Sequence, residues 1–202
     1  MLVGVTGGIG SGKSTVVEAF RKLGTCLVYD ADAAAKKLMT SSVVLREKLQ
    51  QIFGDETYIG NELNRPFLAN IVFSDPEKLA VLNAIVHPVV AKNLQEFIKK
   101  HAHEVSYILY ENAILFENQS AALCAVVITV TAPLETRIQR VIKRDQVSRE
   151  AVLARIQNQW SSEKKEMQSH YCISNINAKE TQLRVLEIHN KLTQKTLYIS
   201  DL

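Results

Sequence analysis

"GVTGGIGSGKST", running from Gly4 to Thr15, places five glycines directly ahead of the apolar pair Val16 and Val17. Glycine in an ordinary strand or helix costs folding free energy through lost backbone entropy, so a cluster of it implies that the backbone itself must approach something closely. Gly7 to Ser14 reads G-G-I-G-S-G-K-S, matching G-x-x-x-x-G-K-[ST], the spacing of a loop whose backbone amides surround phosphate oxygens. In such a loop the glycines admit the anion, Lys13 places a point charge on the outer phosphates, and Ser14 offers an oxygen to Mg²⁺. The candidate triphosphate contacts are therefore Gly8, Ile9, Gly10, Ser11, Gly12, Lys13, Ser14 and Thr15. A dinucleotide loop, G-x-G-x-x-G, is the weaker reading because Lys13 stands where its third glycine belongs.

Working outward, Leu2 to Val5 is a short apolar run ahead of the loop, and Val16, Val17, Phe20 and Leu23 follow it at helical spacing. Cys26 to Tyr29, Ser106 to Tyr110 and Ala125 to Thr131 are further apolar runs without polar alternation, the mark of strands covered on both faces, and Tyr171 to Ser174 is a candidate fifth. Strands alternating with helices argue for an open, parallel α/β sheet with helices on both faces. Between the second and third strands lie helical patterns at Ala33 to Met39, Val44 to Phe53 and Val89 to Ile98, punctuated by Gly54, Gly60, Pro66, Pro76 and Pro88. That stretch is too long for a crossover and reads as an inserted helical subdomain. Leu183, Leu186, Ile188 and Leu192 mark an amphipathic C-terminal helix.

Apolar residues at 47% and charged residues at 22% are those of a folded globular chain, and a net charge of +3 is too low to announce a nucleic-acid partner. The longest apolar stretch, Ala121 to Val130, is too short to cross a bilayer, and the chain does not start like an export signal. Three distant cysteines, Cys26, Cys124 and Cys172, suit reduced core thiols in a cytoplasm.

Two further groups carry chemistry. Asp30 and Asp32 follow the second strand, at the carboxyl end where open α/β sheets bind ligands. One of them could accept a proton from an attacking hydroxyl, or the pair could cap the next helix. After Pro133, the residues Arg137, Arg140 and Arg144 fall on one helix face, either a solvated surface or a clamp for charge on transferring phosphate oxygens.

Taken together the chain resembles the dephospho-coenzyme A kinases, relatives of the nucleoside monophosphate kinases. The likeness rests on T-G-G-I-G-S-G-K-S-T at Thr6 to Thr15, D-A-D at Asp30 to Asp32, L-N-R with F-L at Leu63 to Leu68, and H-P at His87 and Pro88. It continues in I-L-F-E at Ile114 to Glu117, R-V-I-K-R-D at Arg140 to Asp145, and R-I-x-x-Q with E-K at Arg155 to Lys164. The resemblance implies a phosphate-loop kinase fold: a five-stranded parallel sheet, an inserted substrate subdomain and a helical lid. Its segments would be a nucleotide-binding core at 1–33, 101–135 and 166–202, a coenzyme A subdomain at 34–100 and a lid at 136–165. It implies ATP and Mg²⁺ as cofactors and phosphorylation of the ribose 3′-hydroxyl of dephospho-coenzyme A. It gives Asp32 the part of base, makes Lys13 and Arg140 catalytic, assigns Arg144 to ATP, and assigns Asp30, Asp32, Arg65 and His87 to the substrate. A cytoplasmic monomer without nucleic-acid or membrane partners is the expectation.

Two positions depart from the family pattern: Glu111, Asn112 and Ala113 replace Asp-x-Pro, and Ser169 and His170 replace Ala-Asp. The rival readings are a nucleoside or nucleotide kinase with a smaller acceptor, which the long insertion disfavours, and a GTP-dependent switch. The switch would need N-K-x-D, and the nearest string, N-K-L-T at Asn190 to Thr193, ends in the wrong residue.

Overall fold

The computed structural model describes residues 1–200, with the side chains of all but Phe73 and residues 195–200. In chain order the elements are β1 (Leu2–Thr6), α1 (Lys13–Arg21), β2 (Cys26–Asp30), α2 (Ala31–Ser41), α3 (Val43–Phe53), β3 (Tyr58–Ile59), β4 (Glu62–Leu63), α4 (Arg65–Phe73) and α5 (Pro76–His101). There follow β5 (Tyr107–Glu111), β6 (Val126–Thr131), α6 (Leu134–Asp145), α7 (Arg149–Gln157), α8 (Ser162–Met167), β7 (Tyr171–Ser174) and α9 (Ala178–Ser200). The chain divides into two compact units, one made of Met1–Asp30 with the residues from His101 onward, the other of Ala31–Lys100.

The first unit is built on a five-stranded, wholly parallel sheet of order β2-β5-β1-β6-β7, so Tyr171–Ser174 is its fifth strand. The strands are apolar because both faces are covered. Val3 and Val5 pack with Val16, Val17 and Phe20 of α1 and with Val185, Ile188 and Leu192 of α9, all buried. Gly4, between those valines, backs onto the other layer, where a Cβ would come within 2.6 Å of Leu115 and 2.9 Å of Cys124. This glycine therefore serves packing. Each large apolar side chain buried in such a core contributes about 1.5–3 kcal/mol.

Strand order decides where a ligand can sit. From β1 the chain moves to one side through β2 and β5 and to the other through β6 and β7, and the crevice at such a reversal opens beyond the carboxyl end of the strands. The glycine-rich segment leaves β1 at that end.

The Ala31–Lys100 unit has its own core of Leu49, Phe53, Tyr58, Leu63, Leu68 and Val72. Ser42 caps α3 by accepting from Leu45 N–H at 3.3 Å, and Asn64 caps α4 by accepting from Phe67 N–H at 3.4 Å. The unit is not purely helical, since β3 and β4 pair as an antiparallel hairpin turned at Gly60.

Several expected bounds change. The helix expected from Ala33 starts at Ala31, directly off β2. Pro88, expected as punctuation, lies inside the 26-residue helix α5. A proline forfeits one bond, here to the Ala84 carbonyl, while Val86, Val90 and Leu94 stay buried on one face through it. In α9 the buried stripe is Thr181, Val185, Ile188 and Leu192, whereas Leu183 and Leu186 are exposed. Of the cysteines, all free, Cys26 is buried and Cys124 and Cys172 are half-buried. Of the core segment expected to reach residue 202, the last two residues lie outside the described ones.

Candidate active site

The segment between β1 and α1 is shaped by its peptide planes. In a trans peptide the carbonyl of one residue and the amide of the next point in opposite directions. Arg137 Nε donates to Ile9 O at 3.0 Å, which turns the Gly10 amide the other way. Arg140 Nη1 at 3.3 Å and Asn175 Nδ2 at 2.9 Å both donate to Ser11 O, which does the same for the Gly12 amide. Among the described residues, neither of these amides donates to a protein group. Gly10 and Gly12 have φ of 77° and 88°, a left-handed backbone that favours glycine. A Cβ there would collide with the Arg137 backbone and with Asn175 respectively.

These outward amides meet the start of α1, where the first-turn amides and the helix dipole add positive potential. Lys13 opens that helix, and its Nζ donates to Gly7 O at 2.9 Å. Ser14 Oγ donates to Glu111 Oε1 at 3.0 Å. Glu111 ends β5 and lies in register with Asp30 at the end of β2, so two carboxylates share the strand edge beside the loop. A cavity of about 930 Å³ adjoins Gly12, Ser14 and Thr15, with apolar walls from Ala19, Leu23 and Ile176.

The predicted residues fall into different places. Arg140 lines that cavity and also grips the loop, with Nη1 3.4 Å from Gly10 O and Nη2 2.9 Å from Asn175 O. Arg144 makes a bidentate pair with Asp145 at 2.6 and 3.0 Å, and Arg155 joins it at 2.8 Å. Together they hold the Asp145 carboxyl below its ordinary range. Asp32, Arg65 and His87 belong to the Ala31–Lys100 unit. Asp32 sits in the first turn of α2, where the helix dipole favours a carboxylate. Arg65 opens α4 and is exposed. His87 is half-buried in α5, and that burial pulls its pKa down.

Sequence reasoning missed Asn175, for which no local signal exists, and gave no role to Gln159, whose Oε1 accepts the Ile9 amide at 2.8 Å. It named Arg137 only as part of the arginine face, solvated surface or phosphate clamp, and gave it no role of its own. Arg137 is buried, it donates to Ser162 Oγ at 3.2 Å as well, and desolvation lowers its guanidinium pKa against the opposing charge of Glu163. The departures from the family pattern have structural partners. Val127 N–H donates to His170 Nδ1 at 3.2 Å, His170 N–H returns to Val127 O at 2.9 Å, and the Ser169 and Thr129 hydroxyls meet at 2.6 Å.

The dephospho-CoA kinase family model matches residues 1–180. The chain belongs to the dephospho-CoA kinase family. A dephospho-CoA kinase from Bacteroides fragilis is 34% identical over 197 residues, covering 98% of this chain and 95% of the relative. A crystal structure of a Thermus thermophilus protein aligns with a TM-score of 0.82 at 37% identity, covering 93% of this chain and 95% of that one. The dephospho-CoA kinase structure from Campylobacter jejuni aligns with a TM-score of 0.62 at 26% identity, covering 96% and 97% of the two chains. Use of ATP as a substrate follows from membership of this kinase family. Among the described residues no helix is long and apolar enough to cross a membrane, and no group of three or more His, Cys, Asp or Glu is placed to hold a metal ion.

Proposed function

We propose that this chain transfers the γ-phosphoryl group of ATP to the ribose 3′-hydroxyl of dephospho-coenzyme A, giving coenzyme A and ADP. The observation that carries the proposal is the loop of a dephospho-CoA kinase family member with its Gly10 and Gly12 amides turned outward by Arg137, Arg140 and Asn175. Those amides and Lys13 bind the β and γ phosphates, and the apolar cavity beside Thr15 seats the adenine base. Charge that builds on the transferring oxygens is then met by donors already in place, which lowers the barrier without reorganisation.

The Ser14 hydroxyl and Glu111 carboxylate are hard oxygen donors 3.0 Å apart, which fits Mg²⁺, an ion that takes few protein ligands and keeps several waters. When bound, it supplies charge neutralisation across the phosphates. Asp32 is the proposed base, Asp30, Arg65 and His87 the proposed substrate contacts, and Arg144 a proposed ATP contact. These roles rest on the matching motif positions. A loose transition state asks little of the nucleophile, so the proton leaves late. Asp32→Asn keeps the side chain's size and removes its basicity. Turnover should fall across neutral pH, and unchanged turnover would remove the base role. The setting proposed is a cytoplasmic monomer, and three free thiols agree with a reducing compartment.

The direct test follows ADP release from Mg·ATP with dephospho-coenzyme A, AMP, CMP, adenosine or no acceptor. Release with dephospho-coenzyme A alone is expected. Release with AMP or CMP would favour a nucleotide kinase, and equal release without acceptor a nucleotide-hydrolysing switch.

A further inference from the structure

Ile9, at the tip of the loop, is held on three sides by residues from beyond β6. Its side chain packs against the cluster of Ile138, Val141 and Val152 from α6 and α7. Its carbonyl accepts from Arg137 Nε at 3.0 Å, and its amide donates to Gln159 Oε1 at 2.8 Å. Only an acceptor can face an amide N–H, so chemistry fixes which end of the Gln159 carboxamide points inward.

Gln159 is itself located through its own backbone and through the residue that follows it. Its own N–H closes on Ile156 O at 3.1 Å at the end of α7. The next residue, Trp160, donates its N–H to Glu117 Oε1 at 2.8 Å and stacks on Phe116 with ring centroids 6.0 Å apart. Glu117 is held in turn by Lys165, a fully buried ammonium 2.8 Å away that also donates to Ala113 O at 2.6 Å. The backbone that carries the carboxamide is thus tied to the segment that follows β5.

The consequence concerns which amides a triphosphate can reach. Gly10 and Gly12 turn their N–H groups outward, while the Ile9 N–H, one residue earlier in the same glycine-rich stretch, is taken by a side chain. We propose that Gln159 is a positioning residue: its carboxamide oxygen withholds the Ile9 amide from the nucleotide and locks the loop tip, so that the phosphates seat only on the amides that serve transfer. This rests on the reading of the segment as an ATP loop and adds a named residue to it.

A loop tip released by the loss of Gln159 offers one more donor to the ground state and loses its alignment. Nucleotide binding is then kept or tightened while turnover falls, by about ten- to a hundredfold, the scale of a misplacement near 1 Å. A glutamate in its place keeps the acceptor and the alignment but sets a negative charge beside the phosphates. It should weaken binding about tenfold and leave turnover within about threefold of the parent.

The experiment compares the parent chain with Gln159→Leu, Gln159→Asn and Gln159→Glu. Mg·ATP affinity is read from the fluorescence of Trp160, the chain's single tryptophan, and kcat and KM are measured with dephospho-coenzyme A. The asparagine keeps the amide but is one methylene too short to reach Ile9, so it should behave as leucine does, and it decides the matter if the leucine variant fails to fold. The expected result is an opposite split: lower kcat with unchanged or tighter Mg·ATP binding for Leu and Asn, weaker binding with kcat nearly kept for Glu. Equal effects of all three, or a fall in melting temperature with kcat and affinity intact, would overturn the proposal. If the parent chain does not phosphorylate dephospho-coenzyme A, the function proposed above falls, while the affinity pattern still decides the role of Gln159.

Discussion

The two ends of α6 use the same residue type in different ways. Near its start, Arg137 and Arg140 lie against the phosphate loop and donate to Ile9, Gly10 and Ser11 carbonyls. At its end, Arg144 is 64% exposed at its side chain and pairs with Asp145, and Arg149 just beyond pairs with Glu135 in solvent. Helical spacing puts Arg137, Arg140 and Arg144 on one face, but depth along the helix axis separates them. A charged donor on a buried carbonyl contributes roughly 1.5–3 kcal/mol, an exposed ion pair about 0–1 kcal/mol. The buried end is therefore where sequence change should cost both folding and catalysis.

The largest effect belongs to Arg137→Met. It strands the Ile9 carbonyl and the Ser162 hydroxyl, and should cost about 2–4 kcal/mol in urea unfolding. A loss under about 1 kcal/mol would erase the distinction between the two ends. Next comes Arg140→Lys, which keeps the charge but not the fork that reaches Gly10 O, Ser11 O and Asn175 O. Its kcat/KM for ATP should drop about tenfold, with stability changed less than in the Arg137 variant. An unaltered kcat/KM would mean that the loop keeps its shape without the fork.

A smaller effect extends the contrast to His189, buried in α9 with Nδ1 2.7 Å from Tyr107 Oη. Burial pulls its pKa below the ordinary 6.5. A depressed value in the folded state means that its contribution is present above pH 6.5 and is lost as pH falls through the folded pKa. Urea midpoints should therefore decline below pH 6.5, and His189→Gln should remove part of that slope, with His87 still contributing. An unchanged slope would show that His189 charges freely inside the fold. The smallest effect is Arg149→Ala, which should leave turnover and urea midpoint unchanged, and a clear loss of either would show that the exposed end carries more than its geometry suggests.

How far the sequence alone could see follows the same division between local and long-range causes. The β1–loop–α1 unit was readable because glycine spacing, Lys13 and Ser14 are all set within a few residues, and the sheet was readable because strands covered on both faces are continuously apolar. The β3–β4 hairpin was not, since two-residue strands are too short to show a period of two. The run of α5 through Pro88 was hidden because burial of Val86, Val90 and Leu94 on one face outweighs one missing hydrogen bond. In the site, the order of Arg137, Asn175 and Gln159 around one loop depends on segments distant in sequence meeting in space. Asn175 in particular carries no local mark, and only the partner it meets, Ser11 O at 2.9 Å, gives it a part.

The central claim, phosphoryl transfer from the Gly7–Ser14 loop to a ribose hydroxyl, is tested most directly by following the phosphorus atom itself. Phosphorus NMR of purified chain with Mg·ATP and dephospho-coenzyme A should show one new phosphomonoester on the ribose 3′-oxygen, formed in step with ADP. The appearance of inorganic phosphate in its place, with dephospho-coenzyme A unchanged, would contradict the account.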